Sequence, residues 1–498
     1  MALHLSLATL DDLPPEVARP GYDRADLSPG ILHIGVGNFH RAHMAVYLDR
    51  LFSMGADHDW AIVGAGVRPF DAARREVLAA QDWLTTVVEL DPEGLAARVT
   101  GSMVDFLPVD GPALIRAIAD PAIRIVSMTI TEGGYFVDAR SGAFDATHPD
   151  IRADAAGGEP RTVFGLLIAG LAARRAAGHP PPTILSCDNL PRNGHVTREA
   201  VLGLAGLMDE GLRDWIAGTV AFPDSMVDCI TPATSTREIA LVRDRFGIDD
   251  AAPVACEPFR QWVLEDRFPL GRPALDRVGA TFVDDVAPYE TMKLRILNAG
   301  HAAIAYAGAL RGHVYVHDAM ADPLIEGWLR RLMTEEVIPV LPAIPGVDFH
   351  AYLDTCIGRF ANPRVGDTVA RLCQDGSNRQ PKFVLPTVAD ARAAGAPVDL
   401  LAMEVALWCR YCADPATDLD DARADALRSA ARATRDDPGA FLRLEEVFGP
   451  LGRDEVFAGA FAGAIGQLWS RPVEEVLSGV SSDPSSRMRA ASPSRSSY

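Results

Sequence analysis

Between about residues 30 and 190, short β-rich apolar runs alternate with stretches of helical periodicity. GILHIG, WAIVG, TTVVEL, IRIVSMTIT and TILSCDN read as strands. MAVYLDRLF, DAARREVLAAQ, PALIRAIAD and the Ala- and Arg-rich residues 155–178 read as helices between them. Strands separated by helix-length crossovers predict an α/β protein with a doubly wound, largely parallel sheet and helices on its outside. From about Tyr289 the texture changes. KLRILNAGHAAIAYAGAL is apolar and Ala-rich without β-branched runs, and helical patterns such as LIEGWLRRLMTEEV continue to about residue 478. The expected division is an α/β domain over 1–288, a mostly helical domain over 289–480 and a disordered Ser/Arg/Pro-rich tail over 481–498.

The first strand runs into Gly35-Val-Gly37, and a helical pattern follows the turn. Glycines between strand and helix permit a tight turn and close approach of the backbone to a pyrophosphate, which the helix N-terminus then favours. The second strand, WAIVG, follows about 25 residues later, the spacing of a Rossmann-type dinucleotide-binding unit. The third glycine of that pattern is replaced by His40. Gly35, Gly37, Asn38, Phe39 and Arg41 are therefore the candidate cofactor contacts. Arg68 follows the second strand, where an arginine accommodates a 2′-phosphate, and Asp71, slightly later, offers the acid that a 2′-hydroxyl prefers. NAD and NADP both stay open on this pattern.

Composition narrows the class. The 498 residues carry a formal charge of −20, which repels phosphate backbones and anionic lipid. No nucleic-acid or membrane partner is expected, and no stretch approaches the ~20 apolar residues of a transmembrane helix. MALHLSLATLDDLPP lacks the basic start of a signal peptide. Seven scattered cysteines make no disulfide framework, so a cytosolic protein is expected. Cys409 and Cys412 form one CxxC on a helical pattern, read as two packed thiols. No HExxH or His-rich ligand cluster appears, so no metal site is expected.

The sharpest chemistry lies in YETMKLRILNAGHAAIAYAG. At about 100° per residue, Asn298 sits roughly 140° and His301 roughly 80° around a regular helix from Lys293. The three polar groups share one side of an apolar helix and need partners or a purpose. A desolvated lysine is a general base near neutral pH. An asparagine amide can donate to an oxygen gaining charge, and a histidine can orient a hydroxyl.

Five blocks of the chain, in order, resemble the polyol-specific long-chain dehydrogenase family. They are GVGNFHRAH, whose glycine turn, Phe39, Arg41 and His43 match the family's GxGxFxRAH; SCDNLPRNG; FPDSMVDCITP; the KxxxxNxxH formed by Lys293, Asn298 and His301; and DTVARLCQDGSNRQPKFVLPT. The resemblance implies oxidation of a sugar alcohol (mannitol, arabinitol or sorbitol) to a ketose, with NAD or NADP as acceptor and no metal. It implies Lys293 as base, Asn189 and Asn298 as stabilisers of the alkoxide, and His301, Asp228, Arg371 and Arg379 as substrate contacts. Glu132 and Glu290 are implied for the proton path. The active site is implied between the two domains, in a monomer or weak oligomer. One position departs from the family: Cys229 stands where arginine usually follows the Asp228 position. Either substrate preference changes, or another arginine takes that place, and the latter is the expectation. The alternatives are a hexuronate reductase of the same family, in which Arg371 and Arg379 would hold a carboxylate, and a cofactor-binding sensor without catalysis.

Overall fold

The computed structural model describes residues 2–138 and 141–481. Residues 482–498, most of the segment expected to be a disordered tail, lie outside the described residues. The chain divides into two compact units, Met1–Ala287 and Pro288–Tyr498.

The first unit is built on a five-stranded sheet. Its strands are β1 (Pro29–Ile34), β2 (Ala61–Ala65), β3 (Met103–Phe106), β4 (Ile125–Met128) and β5 (Thr183–Ser186). All are parallel, in the order β3-β2-β1-β4-β5. The order reverses after β1, so the crevice at the carboxyl ends of β1 and β4 is the topological switch point, where such sheets take ligands. Successive side chains of β1 enter opposite layers. Leu32 and Ile34 pack in the cluster that includes Leu114, Phe164 and Leu167. Ile31 packs with Met44, Leu48 and Phe52 in the other. Burial on both faces explains why these strands read as near-continuous apolar runs.

One strand does not join this sheet. Thr85–Leu90, which the alternation would add to it, pairs antiparallel with Leu95–Thr100 in a separate four-stranded sheet. The reason is the connection. Residues 91–94, DPEG, are enough for a hairpin turn and far too few for the crossover of a dozen or more residues that a parallel pair requires. A third sheet pairs Ser225–Asp228 antiparallel with Gln261–Glu265, which in turn runs parallel to Thr281–Val283.

The second unit is mostly helical. Its central helix, Ala299–Leu310, is buried along nearly its whole length. A helix that is apolar all round belongs in an interior. Small residues let neighbours close on it: a Cβ on Gly300 would come within 3.2 Å of the Phe360 ring, and one on Gly308 within 3.3 Å of Ala319. Asp399–Ala413 and Val369–Cys373 pack against it.

Candidate active site

The glycine turn at the end of β1 is held from both sides. Gly35 has φ of +93°, and a Cβ there would lie 2.1 Å from the Thr129 carbonyl oxygen at the end of β4. Only glycine fits. The Thr129 hydroxyl donates to the Gly35 carbonyl at 2.6 Å. Gly37 differs: a Cβ there would meet only the Gly35 oxygen, 3.9 Å away. Nothing in the fold requires a glycine at 37, and the space beside it opens on a cleft of about 380 Å³ lined by Gly35, Arg68, Asp71, Arg74 and Arg161 among others. A bare backbone beside an open cleft fits a dinucleotide's pyrophosphate.

His40, in place of the third glycine, stacks on His33 with ring centroids 3.5 Å apart. Ring stacking here achieves the close helix–strand contact that glycine otherwise permits. Burial lowers the His33 pKa to about 3 and pushes His40 well below its ordinary value, so both rings are neutral. Arg41 is buried and works behind the turn. Its guanidinium donates to the Gly37 carbonyl at 3.3 Å, to Asn38 Oδ1 at 2.8 Å and to the Ala252 carbonyl. Asn38 in turn donates to the Thr234 hydroxyl at 2.9 Å, and Phe39 stacks on His43 at 4.8 Å. Arg68 is exposed at the start of helix Pro69–Ala79. Asp71 Oδ2 accepts the N–H groups of Val67 and Arg68, each at 2.9 Å.

Glu132 and Asn189 are exposed residues on the loops after β4 and β5. Asp188, which the sequence reading passed over, ties those loops together. Its carboxylate accepts from Ile130 N at 2.8 Å, Thr131 N at 2.9 Å and the Tyr135 hydroxyl at 2.6 Å. Thr131 sits at φ of +64°, a strained conformation for a β-branched residue, and the Asp188 bond holds it there. Asn193 is a second missed residue. Fully buried, its amide reaches the carbonyls of Ser186, Asp188 and Ser225, and its oxygen accepts from Ser225 N at 2.9 Å. It joins the Asn189 loop to the strand that ends in buried Asp228. The only sequence signal for either residue is its place inside the SCDNLPRNG block.

Beside Cys229 stands Arg260, a third missed residue. It donates to Cys256 Sγ at 3.1 Å, to Glu89 at 2.6 Å and to the Ala42 carbonyl at 2.7 Å. Its charge acts on Cys229 as well. A guanidinium thus accompanies the cysteine that replaces the family arginine.

In the second unit, Lys293–Asn298 is not regular α-helix. It is a π-helical turn between Ala287–Met292 and Ala299–Leu310, and Ala299 N–H reaches the Leu294 carbonyl five residues back. The 100° spacing therefore fails across this segment. An i→i+5 ladder brings residues five apart closer to one face, so Lys293 and Asn298 align better than the α-helical count allows. Lys293 is buried, as are Glu290 three residues before it and His301 beyond. Asn298 Oδ1 is buried without a hydrogen-bond partner among the described residues, a cost of roughly 1–3 kcal/mol unless a ligand satisfies it. His301 packs on Phe360 at 4.5 Å, and burial, then the Arg371 charge, hold its pKa down at about 3. Arg371 forms a bidentate ion pair with Asp367, and Arg379 donates to the Leu372 carbonyl at 2.7 Å. Cys409 and Cys412 are buried free thiols, Cys409 3.8 Å from the Thr434 hydroxyl. Among the described residues no group of three or more His, Cys, Asp or Glu is placed to hold a metal, and no helix is long and apolar enough to cross a membrane.

A nucleotide-type cleft in a Rossmann-like α/β unit, followed by a mostly helical second unit, defines a dinucleotide-dependent oxidoreductase. Comparison with known proteins gives the family. The mannitol dehydrogenase Rossmann domain matches residues 29–277, and the mannitol dehydrogenase C-terminal domain matches residues 285–469. The chain belongs to the mannitol dehydrogenase family. It is 55% identical to a mannitol 2-dehydrogenase of Cereibacter sphaeroides, over 93% of this chain and 98% of that one. A mannitol 2-dehydrogenase of Pyricularia oryzae is 43% identical, over 92% and 95%. Among solved structures, the Pseudomonas fluorescens mannitol 2-dehydrogenase in ternary complex with NAD and D-mannitol superposes with a TM-score of 0.82 at 44% identity, covering 97% of this chain and 100% of that one. A substrate-free D-sorbitol dehydrogenase gives 0.88 at 35% identity, covering 95% and 100%.

Proposed function

We propose that this enzyme oxidises a secondary hydroxyl of a sugar alcohol, mannitol first, to the ketose in the cytosol, with NAD as acceptor and without a metal. The observation that carries the reading is the π-turn that aligns Lys293 with Asn298 in a member of this family. NAD, when bound, accepts the hydride. The glycine turn and its cleft would hold the pyrophosphate, and Asp71 and Arg68, which line the same cleft, would meet the adenosine ribose. Burial favours the neutral amine of Lys293, which takes the hydroxyl proton. The Asn298 and Asn189 side chains bind the oxygen as it gains charge. Neutral His301 and Asp228 hold neighbouring hydroxyls, and Glu290 and Glu132 pass the proton onward. The pairing of Arg371 with Asp367 favours a neutral substrate over a hexuronate, because its charge is already answered.

The test is a panel read by reduced-nicotinamide absorbance in EDTA. It crosses mannitol, arabinitol and sorbitol with NAD and NADP, and runs hexuronates in the reducing direction. Turnover of a neutral polyol with NAD is expected. Activity on a hexuronate alone would move the protein to the uronate branch. Bound cofactor with no turnover on any substrate would make it a sensor.

A further inference from the structure

Cys229 and Cys256 are brought together by backbone pairing. Glu257 N donates to the Ile230 carbonyl at 3.0 Å, and Ile230 N donates to the Glu257 carboxylate at 2.6 Å. The two cysteines that precede this junction therefore lie on adjoining stretches of backbone and share one buried cluster. Both sit in one small apolar cluster with Val87 and Val254, Cys229 at 8% exposure and Cys256 at 0%. A buried cation stands against the cluster. The Arg260 side chain is 3% exposed, fixed by Glu89 and the Ala42 carbonyl, with one nitrogen 3.1 Å from Cys256 Sγ.

We propose that Cys229 and Cys256 form a peroxide-sensitive thiol pair that closes to a disulfide beside Asp228. Two thiols on adjoining backbone in one buried cluster need little movement to reach disulfide geometry. A guanidinium against a thiol stabilises the thiolate, which is the reactive form. In agreement, the Cys256 pKa is lowered, first by the Cys229 hydrogen bond and then by Arg260 against the opposing burial, while that of Cys229 is raised. The chemistry balances. One sulfur, as thiolate, attacks a peroxide oxygen; the O–O bond breaks, giving a sulfenic acid and, after protonation, water. The second sulfur attacks the first, the S–S bond forms, the S–O bond breaks and a second water leaves. The two thiols lose two electrons and the peroxide gains them. Hydrogen peroxide is small and uncharged, which suits a pair at the edge of a buried cluster.

The cross-link pulls on Cys229 and therefore on Asp228, the adjacent residue. Only this kinetic consequence rests on the polyol reading. The experiment treats the full-length protein with hydrogen peroxide and maps its peptides without reduction. A linked pair of peptides containing Cys229 and Cys256 is expected, with a mass lower by two hydrogens and reversal by dithiothreitol. The polyol KM is expected to rise roughly tenfold over the same time course, since an ångström of misplacement can cost more than that. Cys229→Ser should abolish both changes while retaining the starting activity. Peroxide treatment that leaves the two thiols unlinked would overturn the proposal, as would equal loss of activity in Cys229→Ser. A protein that turns over no polyol still reports the cross-link by its peptide map.

Discussion

Arg371, on the short helix Val369–Cys373, faces Asp367 just before that helix, with two guanidinium nitrogens on two carboxylate oxygens. The bond holds the arginine pKa above its ordinary value, with burial opposing. A guanidinium so occupied gives little to a substrate carboxylate. Asp367→Asn should release it and improve KM for a hexuronate about tenfold, the scale of one charge-assisted hydrogen bond. Neutral polyol kinetics should change less. Unchanged hexuronate kinetics in a folded variant would place Arg371 out of reach of the substrate.

The π-turn makes Lys293 separable from its neighbours. Lys293→Ala should lower kcat by about 10²- to 10⁴-fold, the usual contribution of a general base, and should leave cofactor titrations unchanged. His301 is neutral down to pH about 3, so His301→Asn should raise polyol KM without moving the near-neutral limb of the pH–rate profile. If that limb shifts, the histidine is the titrating group and the lysine assignment fails.

Two glycines in one turn should fail differently. Gly35→Ala places a side chain at positive φ and against the Thr129 carbonyl, and should cost about 2 kcal/mol or more in thermal unfolding. Gly37→Ala meets open space and should unfold like the parent, yet bind dinucleotide more weakly. Equal cofactor affinity in Gly37→Ala would remove the pyrophosphate from that cradle.

Glu404 is buried in helix Asp399–Ala413, and desolvation pushes its pKa up from 4.5 to about 8, against one hydrogen bond from Gln380 at 2.7 Å. The folded state keeps this proton between pH 4.5 and about 8 while the unfolded chain releases it. Stability contributed by the neutral carboxyl is therefore present at pH 4.5 and lost as pH rises through about 8. Glu404→Gln should stabilise the fold at pH 9 by on the order of a few kcal/mol, read as a higher Tm, and change little at pH 5. Parallel melting curves for the two proteins across that range would show that Glu404 is ionised throughout.

Local pattern alone was enough for β1, β2, β4 and β5, the glycine turn and the change to a helical second half, because period and turn chemistry are written in neighbouring residues, whereas the short strand β3 was passed over. The five blocks, likewise, named the family and the candidate residues. What the tertiary structure decided depends on contacts between distant segments. Thr85–Leu90 left the parallel sheet for the partner that its short loop allowed. The π-turn altered the register of Lys293 and Asn298, which an α-helical count assumes to be regular. Arg260 came beside Cys229 from the loop before Gln261–Glu265, and Asp188 and Asn193 became the ties between loops far apart in the sequence. Sequence determines which groups are present and their local geometry; burial and partner, which set charge state and reactivity, exist only once the chain has folded.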